Sequence, residues 1–462
     1  MRINEVFEKV GFFWLPNDEA NKKHGTLRIL NGGKIELEIV GNFDEDITSF
    51  NKDWEMVRIL GFIENEGYVT LEKCFYTKKN LSFGNISKSK IHVSLALCGA
   101  IWDKDEEVTF STLEFSLDCL DEWVGITGIQ VSHDWESKTA SINYLPQQNI
   151  FIGIEGKFKL EICFKWTLPG SPKLTEAKIT QRAFLKLISE TLLPLEDFID
   201  MVFKITNLLC FAIDDTVSIK DLIATSPDIT FQISEGKTKL APVKLYYESQ
   251  PYSEKEPKKD WHQMLFNYNS ISTNAAIIFN GWLSAYETLS PAMGLYFSTK
   301  TDAYKYIDAK FLALAQGLET YHRRTSDEKL MEESEYEILT KKITQNCPDE
   351  HLEWLNGRIK HGNEINLNKR LKAIIEPFKN YLGDSAQQKK LLRQIVVTRN
   401  YLTHYSPELE REAMKGADFI YICQKMEAIF GLHFLKVIGF TKDEIERIVT
   451  DSQVLKSKLQ VN

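Results

Sequence analysis

Three residue types that suit phosphate chemistry occur together in RNYLTH, residues 399–404. Arg399 offers a planar, permanently charged group that can bind a phosphate through two hydrogen bonds. His404 titrates close to neutral pH and can serve as an acid or a base, and the amide of Asn400 can position either group. The alternative is structural, because a helix dipole also favours basic residues in the last turn of a helix.

The segment that carries these residues predicts one helix, Ser385–His404. Its apolar residues form one core-facing stripe, namely Leu391, Ile395 and Leu402. Arg399 falls inside that apolar sector, where a guanidinium requires a carboxylate, a phosphate or a partner chain. His404 lies about 140° around the helix from Arg399. The two side chains therefore meet only through a distortion of the helix end or through a second copy of the helix.

The same segment is basic, although the chain has a formal net charge of -9. Residues 385–407 contain no Asp or Glu, and three cations precede Arg399, namely Lys389, Lys390 and Arg393. This composition predicts a local strip that attracts anions. Tyr405 follows the motif, and we expect it either to stack on a base or to be buried.

Length and composition predict two or three domains of an ordinary globular protein, with 462 residues, 43% hydrophobic and 26% charged. The seven cysteines are scattered and never form a Cys-x2-Cys pair, which indicates free thiols in a reducing cytoplasm and no zinc site. We expect neither secretion nor a membrane span, because leader and long apolar segments are missing. The sequence lacks the glycine-rich nucleotide-binding loops and the His-Glu-x2-His motif of metalloproteases.

The N-terminal part predicts β structure. Residues 1–168 alternate polar and apolar residues between turn signals, which favours an antiparallel sandwich or barrel-like domain. Residues 169–298 predict a mixed helical and hairpin region that continues this module, with helices over 178–213 and a hairpin over 228–247. The aromatic residues Phe12, Phe13 and Trp14 favour core packing over base stacking.

Residues 299–462 predict an all-helical bundle. Its first helix is expected over residues 302–324, and four more over 328–345, 349–359, 365–380 and 385–404. After Ser406-Pro407 two or three further helices are expected, including one over 410–438. Near the end of the first helix, Glu319 and His322 favour a structural polar pair; the functional alternative is that Glu319 neutralises or orients Arg399 across the bundle.

RNYLTH at the end of a long helix resembles the Arg-Asn-x3-His signature of HEPN ribonucleases. DAYKYIDAKFLALAQGLETYHRR, residues 302–324, is similar to the opening helix of the Apea-like HEPN subfamily. Four N-terminal segments are similar to the domain found with it: GFFWLP (11–16), HGTLRI (24–29), GKIELEIVG (33–41) and ILGFIENEGYVTLEKC (59–74). The resemblance therefore spans most of the chain.

This resemblance implies a cytoplasmic, cofactor-free and metal-independent endoribonuclease of anti-phage defence, an abortive-infection effector. Two HEPN domains would pack with their motif helices facing, so a homodimer or higher oligomer is expected. Arg399, Asn400 and His404 would be catalytic, with Glu319 and His322 as auxiliary candidates. The expected RNA contacts are Lys389, Lys390, Arg393 and Tyr405.

The expected RNA products carry 2′,3′-cyclic phosphate and 5′-hydroxyl ends. On family grounds a tRNA is a candidate substrate and a phage component a candidate trigger. The alternative function is a non-catalytic HEPN module for dimerisation or RNA binding.

Overall fold

The computed structural model describes residues 1–3, 5–43, 55–79, 87–170, 175–234, 236–301 and 306–459. The chain divides into two compact units, Met1–Asn280 and Gly281–Asn462. The first unit is rich in strands and the second is helical. The predicted fold class, an antiparallel β-rich N-terminal part followed by a helical bundle, is confirmed.

The strands of the first unit are β1 (Phe7–Trp14), β2 (Lys23–Ile29), β3 (Ile35–Val40), β4 (Glu55–Ile63), β5 (Gly67–Lys78), β6 (Lys88–Cys98), β7 (Thr109–Leu117), β8 (Ile129–Asp134), β9 (Thr139–Tyr144), β10 (Ile150–Ile152), β11 (Lys159–Thr167), β12 (Thr180–Pro194), β13 (Ile219–Thr225), β14 (Thr230–Ser234), β15 (Lys237–Leu240) and β16 (Val243–Tyr247). Its helices are α1 (Leu120–Val124), α2 (Leu195–Ile213) and α3 (Tyr268–Ile271). Helix α4 (Ala275–Ser298) runs across the point where the chain divides.

Twelve of these strands, within the described residues, form one antiparallel sheet in the order β10-β11-β12-β7-β13-β16-β6-β3-β2-β1-β4-β5. An additional pairing of β5 with β6 closes the first six strands into a barrel. Strand β6 belongs to both parts, because residues 88–93 pair with β3 and residues 95–98 pair with β16. The barrel therefore opens at β6 into the rest of the sheet.

Side-chain alternation explains why the barrel forms. In β3, Ile35, Leu37 and Ile39 are fully buried and alternate with glutamates, as expected for a strand with one face on a core. A turn at Asn31-Gly32-Gly33 joins β2 to β3. Gly33 has a φ of +86°, and a Cβ there would collide with the carbonyl oxygen of Tyr247, so this position requires glycine.

The helical prediction for residues 178–193 is wrong. Residues 180–194 form β12, which pairs with β11 on one side and β7 on the other. Its middle contains a short, mostly apolar buried run, Ala183, Phe184, Leu185 and Leu187, and periodicity does not distinguish such a run from a buried helix. The predicted domain boundary after residue 168 falls between these paired strands.

Two smaller predictions also need correction. The hairpin expected over 228–247 is confined to β14 and β15, whereas β16 joins the main sheet beside β6. Of the aromatic cluster, Phe13 and Trp14 are buried in the core, but Phe12 is half exposed and contacts His24 edge-on, with ring centroids 5.7 Å apart. Core packing therefore accounts for two of the three rings.

The helices of the second unit after α4 are α5 (Ile307–Thr325), α6 (Glu333–Gln345), α7 (Asp349–Ile359), α8 (Leu367–Ile375), α9 (Ser385–His404), α10 (Pro407–Glu410), α11 (Gly416–Val437), α12 (Lys442–Asp451) and α13 (Gln453–Leu459). A 3₁₀ helix, Glu376–Tyr381, follows α8. Helix α5 packs on α8, α9 and α11. The predicted start of the first helix at residues 302–305 lies outside the described residues.

Candidate functional site

Helix α9 holds the RNYLTH motif in its last two turns. Its start is fixed by Asp384, whose carboxylate accepts hydrogen bonds from the backbone of Ala386 and Gln387 at 2.9 and 2.8 Å. The buried side includes Leu391, Ile395 and Leu402, as predicted. The fully buried Thr398 accepts a hydrogen bond from the Met414 backbone at 3.1 Å. The motif therefore lies on a helix anchored at both ends.

Arg399 lies at the edge of the buried side rather than inside it. Its side chain is 35% exposed, and one guanidinium nitrogen (Nη2) lies 3.5 Å from Oε2 of Glu319 on α5. The other (Nη1) donates to Oδ1 of Asn400 at 3.2 Å. The sequence placed Arg399 in the apolar sector and called for a carboxylate, a phosphate or a partner chain beside it; in the structure Arg399 is half-buried at the edge of that sector. A carboxylate from the neighbouring helix accompanies this guanidinium.

Glu319 is shared between two arginines. Its Oε1 accepts two hydrogen bonds from Arg323, one turn later on α5, at 3.0 and 3.2 Å. Arg323 also donates to Glu364, which precedes α8, and this hydrogen bond lowers the pKa of Glu364. Glu364 further contacts His361 at 3.1 Å and Arg370 at 3.5 Å. A line of ion pairs therefore runs from Arg399 along the end of α5.

The expected polar pair of Glu319 with His322 is not formed. His322 is buried, and its Nδ1 lies 3.3 Å from a guanidinium nitrogen of Arg370, while Nε2 lies 3.8 Å from Glu328. Burial, with the Arg370 charge in support, lowers the pKa of His322. Three residues along a helix turn a side chain about 60° short of a full turn, which is enough to give these two side chains different neighbours.

The end of the motif is open to solvent. The side chain of His404 is exposed and has no hydrogen-bond partner among the described residues. Thr403 bonds back to the Arg399 carbonyl at 2.7 Å. Tyr405 is 66% exposed, so the expected alternative of burial is wrong; its ring lies edge-on to Tyr401 at 5.5 Å. It ends the helix in a left-handed conformation with φ of 51°.

The three basic residues that were predicted to contact RNA are exposed to solvent. Lys389, Lys390 and Arg393 are all exposed, and Arg393 is paired with Glu412 at 2.7 Å. At about 100° per residue, Lys389 and Arg393 fall within about 60° of Asn400 and His404 around α9. Two of the three cations and two of the three motif residues therefore share one face of the helix, whereas Lys390 lies about 80° around the helix from Asn400.

A cavity of about 470 Å³ lies beside the Arg399–Glu319 pair. It is lined by Leu312, Gln316, Glu319, Thr320, Arg323, Arg399 and Thr403. Sequence reasoning missed Arg323, Gln316 and Thr320. The signal for Arg323 was its position four residues after Glu319, which brings the two side chains together on one helix face.

Two general features concern metals and membranes. Within the described ranges, no group of three or more His, Cys, Asp or Glu side chains is arranged to hold a metal ion. None of the helices described is both long and apolar enough to span a bilayer.

The fold and site define a class of protein in which a β-rich N-terminal unit precedes a helical bundle with an exposed Arg-Asn-x3-His motif. Residues 8–282 match the family model ApeA N-terminal domain 1, and residues 312–444 match Apea-like HEPN. Because the first match covers more than half of the chain, the protein belongs to the ApeA N-terminal domain 1 family, here with an Apea-like HEPN domain. The predicted resemblance is confirmed.

The second match contains the whole RNYLTH motif and the end of α5. It supports membership of a HEPN nuclease family linked to anti-phage defence. Searches of curated proteins and of solved structures each found no match.

Proposed function

We propose that the second unit is a metal-independent endoribonuclease that acts as an abortive-infection effector in bacterial anti-phage defence. The observation that carries this proposal is RNYLTH at the open end of α9, inside the region that matches Apea-like HEPN. There Arg399 and Asn400 are hydrogen-bonded to each other and His404 faces solvent. The motif supplies a phosphate-binding cation and an accessible imidazole, on different sides of the same helix end.

The proposed reaction is an internal transfer at one RNA phosphate. A base removes the 2′-hydroxyl proton, the 2′-oxygen bonds to phosphorus, and the bond from phosphorus to the 5′-oxygen breaks as an acid protonates that oxygen. His404 acts as acid or base, Arg399 stabilises the charge on the phosphorane, and Asn400 positions His404 or a phosphate oxygen. The products carry a 2′,3′-cyclic phosphate and a 5′-hydroxyl.

A second copy of the chain completes the proposed site. Two proton transfers need two groups, and each chain supplies one motif histidine. His404 has no hydrogen-bond partner among the described residues of its own chain, which leaves both ring nitrogens available. We therefore propose a homodimer, or a higher oligomer built from it, in which two α9 helices face each other.

The proposed RNA-binding surface is the cationic face of α9. Lys389, Lys390 and Arg393 would contact phosphates near the motif, and the exposed ring of Tyr405 would stack on a base. The Glu412 carboxylate beside Arg393 reduces the charge that Arg393 offers. We expect the two lysines to contribute more to binding than Arg393.

The decisive experiment incubates purified protein with total RNA in the presence of EDTA. We expect wild-type protein to produce 5′-hydroxyl ends, and well-folded His404→Ala protein to produce none. Full cleavage by His404→Ala would refute the assignment, and cleavage that EDTA abolishes would refute the metal-free mechanism.

One observation favours a second candidate function, a non-catalytic module for dimerisation or RNA binding. The imidazole of His404 lacks a group within the described part of its own chain that would fix its orientation, as a catalytic histidine requires. RNA that binds tightly to the wild-type protein and stays intact, including in extracts of infected cells, would support this module. We favour the enzyme because Arg399, Asn400 and His404 are all present.

The first unit is proposed to sense a phage-derived trigger or to restrain the nuclease, and a tRNA is the proposed substrate on family grounds. Mapping 5′-hydroxyl RNA ends in infected cells, with the His404→Ala strain as control, identifies the substrate. If 5′-hydroxyl RNA ends are equally abundant in the wild-type and His404→Ala strains, the proposed role in defence is wrong.

A further inference from the structure

The carboxylate of Glu319 makes unequal contacts with the two arginines beside it. Arg323 donates two hydrogen bonds to Oε1, at 3.0 and 3.2 Å. Arg399 reaches Oε2 only at 3.5 Å, beyond the usual length of an N–H···O hydrogen bond. The negative charge of Glu319 is therefore satisfied mainly by Arg323, and the Arg399 guanidinium keeps donors that are not used by Glu319.

Arg323 is itself held from the opposite side. Its remaining terminal nitrogen donates to Glu364, whose carboxylate also contacts His361 and Arg370. A guanidinium that bridges two carboxylates is fixed in direction, because its donors form a planar fork. Glu364 thus keeps Arg323 turned towards Glu319.

A cavity with space for a ligand is lined by both guanidiniums. Arg323 and Arg399 both line the 470 Å³ cavity, together with the polar side chains of Gln316, Thr320 and Thr403. Arg399 is 35% exposed and Arg323 45% exposed, so both are accessible to an anion. If Arg323 were absent, Glu319 would be free to pair closely with Arg399 and to repel a phosphate.

We propose that Arg323 is a positioning residue, which keeps the Arg399 guanidinium available for an RNA phosphate by holding Glu319 away from it. This inference rests on the proposed function, since it assigns Arg399 a phosphate to bind. It assigns the two contacts of Glu319 different roles: Arg323 holds the carboxylate through two hydrogen bonds, and the long contact with Arg399 leaves the Arg399 donors for a phosphate. Neither role requires Arg323 to touch the reacting atoms.

The test compares Arg323→Ala, Glu319→Gln and the double variant. Binding of a 2′-O-methyl RNA oligonucleotide, which cannot be cleaved by 2′-oxygen attack, is measured by fluorescence anisotropy, and cleavage of the unmodified RNA is measured in parallel. We expect Arg323→Ala to weaken binding and slow cleavage about tenfold, the order of one charge-assisted hydrogen bond. In the double variant, where no carboxylate is left to capture Arg399, we expect both to recover to within about twofold of wild type.

Recovery in the double variant distinguishes positioning from a merely structural role. If Arg323 only stabilises the bundle, the double variant will be no better than Arg323→Ala, and its unfolding midpoint will fall; either result overturns the inference. Arg323→Lys should weaken RNA binding and cleavage less than Arg323→Ala does, because an ammonium only partly replaces the guanidinium that bridges Glu319 and Glu364. Arg324→Ala, the exposed neighbour, is the matched control and should match wild type.

Failure of this inference can be told apart from failure of the proposed function. If wild type cleaves RNA and His404→Ala does not, the nuclease assignment stands whatever Arg323→Ala does. If wild type binds but does not cleave, the anisotropy measurement alone decides the role of Arg323. Equal binding by wild type and Arg323→Ala would overturn it in both cases.

Discussion

Two arginine–carboxylate pairs, one in each unit, show how differently the same chemistry is used. In the first unit Arg2 makes three hydrogen bonds to Asp118, at 2.7 to 3.1 Å, and both side chains are buried. In the second unit Arg399 faces Glu319 through one contact of 3.5 Å, with both side chains partly exposed. Asp118 also accepts from the Ser218 backbone at 3.0 Å.

The two pairs differ in whether the hydrogen-bond donors of the arginine are all used within the protein. A buried pair with satisfied hydrogen bonds has no donor left for a ligand, and its loss leaves a charge without compensation. An exposed pair with a long contact contributes little to stability but keeps donors available. We therefore infer that Arg2–Asp118 stabilises the fold and that the arginine of Arg399–Glu319 has donors available for a ligand.

The substitution Arg399→Ala tests the difference between the two pairs with the largest expected effect. We expect RNA cleavage to fall about 10²–10³-fold, the cost of removing one donor that stabilises transition-state charge. Stability should change by less than about 1 kcal/mol, because the lost ion pair is partly exposed. Cleavage rates and denaturant midpoints of the same preparations check both. A large loss of stability with little loss of cleavage would reverse the assignment of the two pairs.

The complementary substitution is Asp118→Asn. It leaves the buried Arg2 without its counter-charge, so we expect the unfolding transition of the first unit to lose about 3–5 kcal/mol. Glu8→Gln is the control, because its pair with Arg28 at 2.8 Å is exposed and should contribute about 0–1 kcal/mol. Urea denaturation followed by tryptophan fluorescence measures both. Equal effects of the two substitutions would contradict a special role for burial.

The second unit also contains a buried histidine whose hydrogen bonds are satisfied, and its contribution to stability depends on pH. The buried His433 contacts the Ile374 carbonyl through Nε2 at 2.8 Å and the Tyr321 hydroxyl through Nδ1 at 3.2 Å. The carbonyl requires an N–H at Nε2, so the neutral ring satisfies both partners. Burial lowers the pKa of His433 to about 4.

Because the folded pKa of His433 lies below the unfolded value near 6.5, the unfolded state binds the proton first. Stability should therefore be full above about pH 6.5 and fall by about 3 kcal/mol as the pH approaches 4. Denaturant melts of the second unit across this range, with His433→Gln as the non-titrating comparison, measure the effect. Equal pH slopes for the two proteins would exclude His433 as the cause.

The smallest expected effect concerns the proposed partner of His404. If two imidazoles are needed, random pairing of equal amounts of wild-type and His404→Ala chains leaves about a quarter of the dimers intact. Activity should then be about half of that expected from simple dilution. Co-expression with two affinity tags isolates the mixed dimer directly. A fully active mixed dimer, or an active monomer by light scattering, would exclude the shared site.

Local patterns made α9 predictable from sequence, and its observed bounds equal the expected ones. The cap at Asp384 and the stripe of Leu391, Ile395 and Leu402 are properties of neighbouring residues on one helix. The carboxylate beside Arg399 comes from α5, about 80 residues earlier. Sequence analysis gave Glu319 as a partner of Arg399 only as the alternative to a polar pair with His322, because helical arithmetic gives the direction of a side chain but not its neighbours on the next helix.

The same limit explains the errors in the first unit. Strand β12 was mistaken for a helix because its buried apolar run is short and mostly continuous, and its partners β11 and β7 are set by pairing that periodicity does not show. The shared pairing of β6 was not predictable, since nothing in residues 95–98 identifies β16 as their partner. Long-range pairing, rather than local propensity, decided both cases.

Strand β6 has a further consequence for biosynthesis. One edge of β6 pairs with β5 along most of its length, and the first half of the other edge pairs with β3, both already made; the second half of that edge pairs with β16, which the ribosome produces about 150 residues later. At about 5–20 residues per second, this part of the β6 edge waits roughly 8–30 s before its neighbour emerges. An unpaired strand edge attracts other strands during that time. Nascent chains should therefore depend on a chaperone between the completion of the barrel and the emergence of β16.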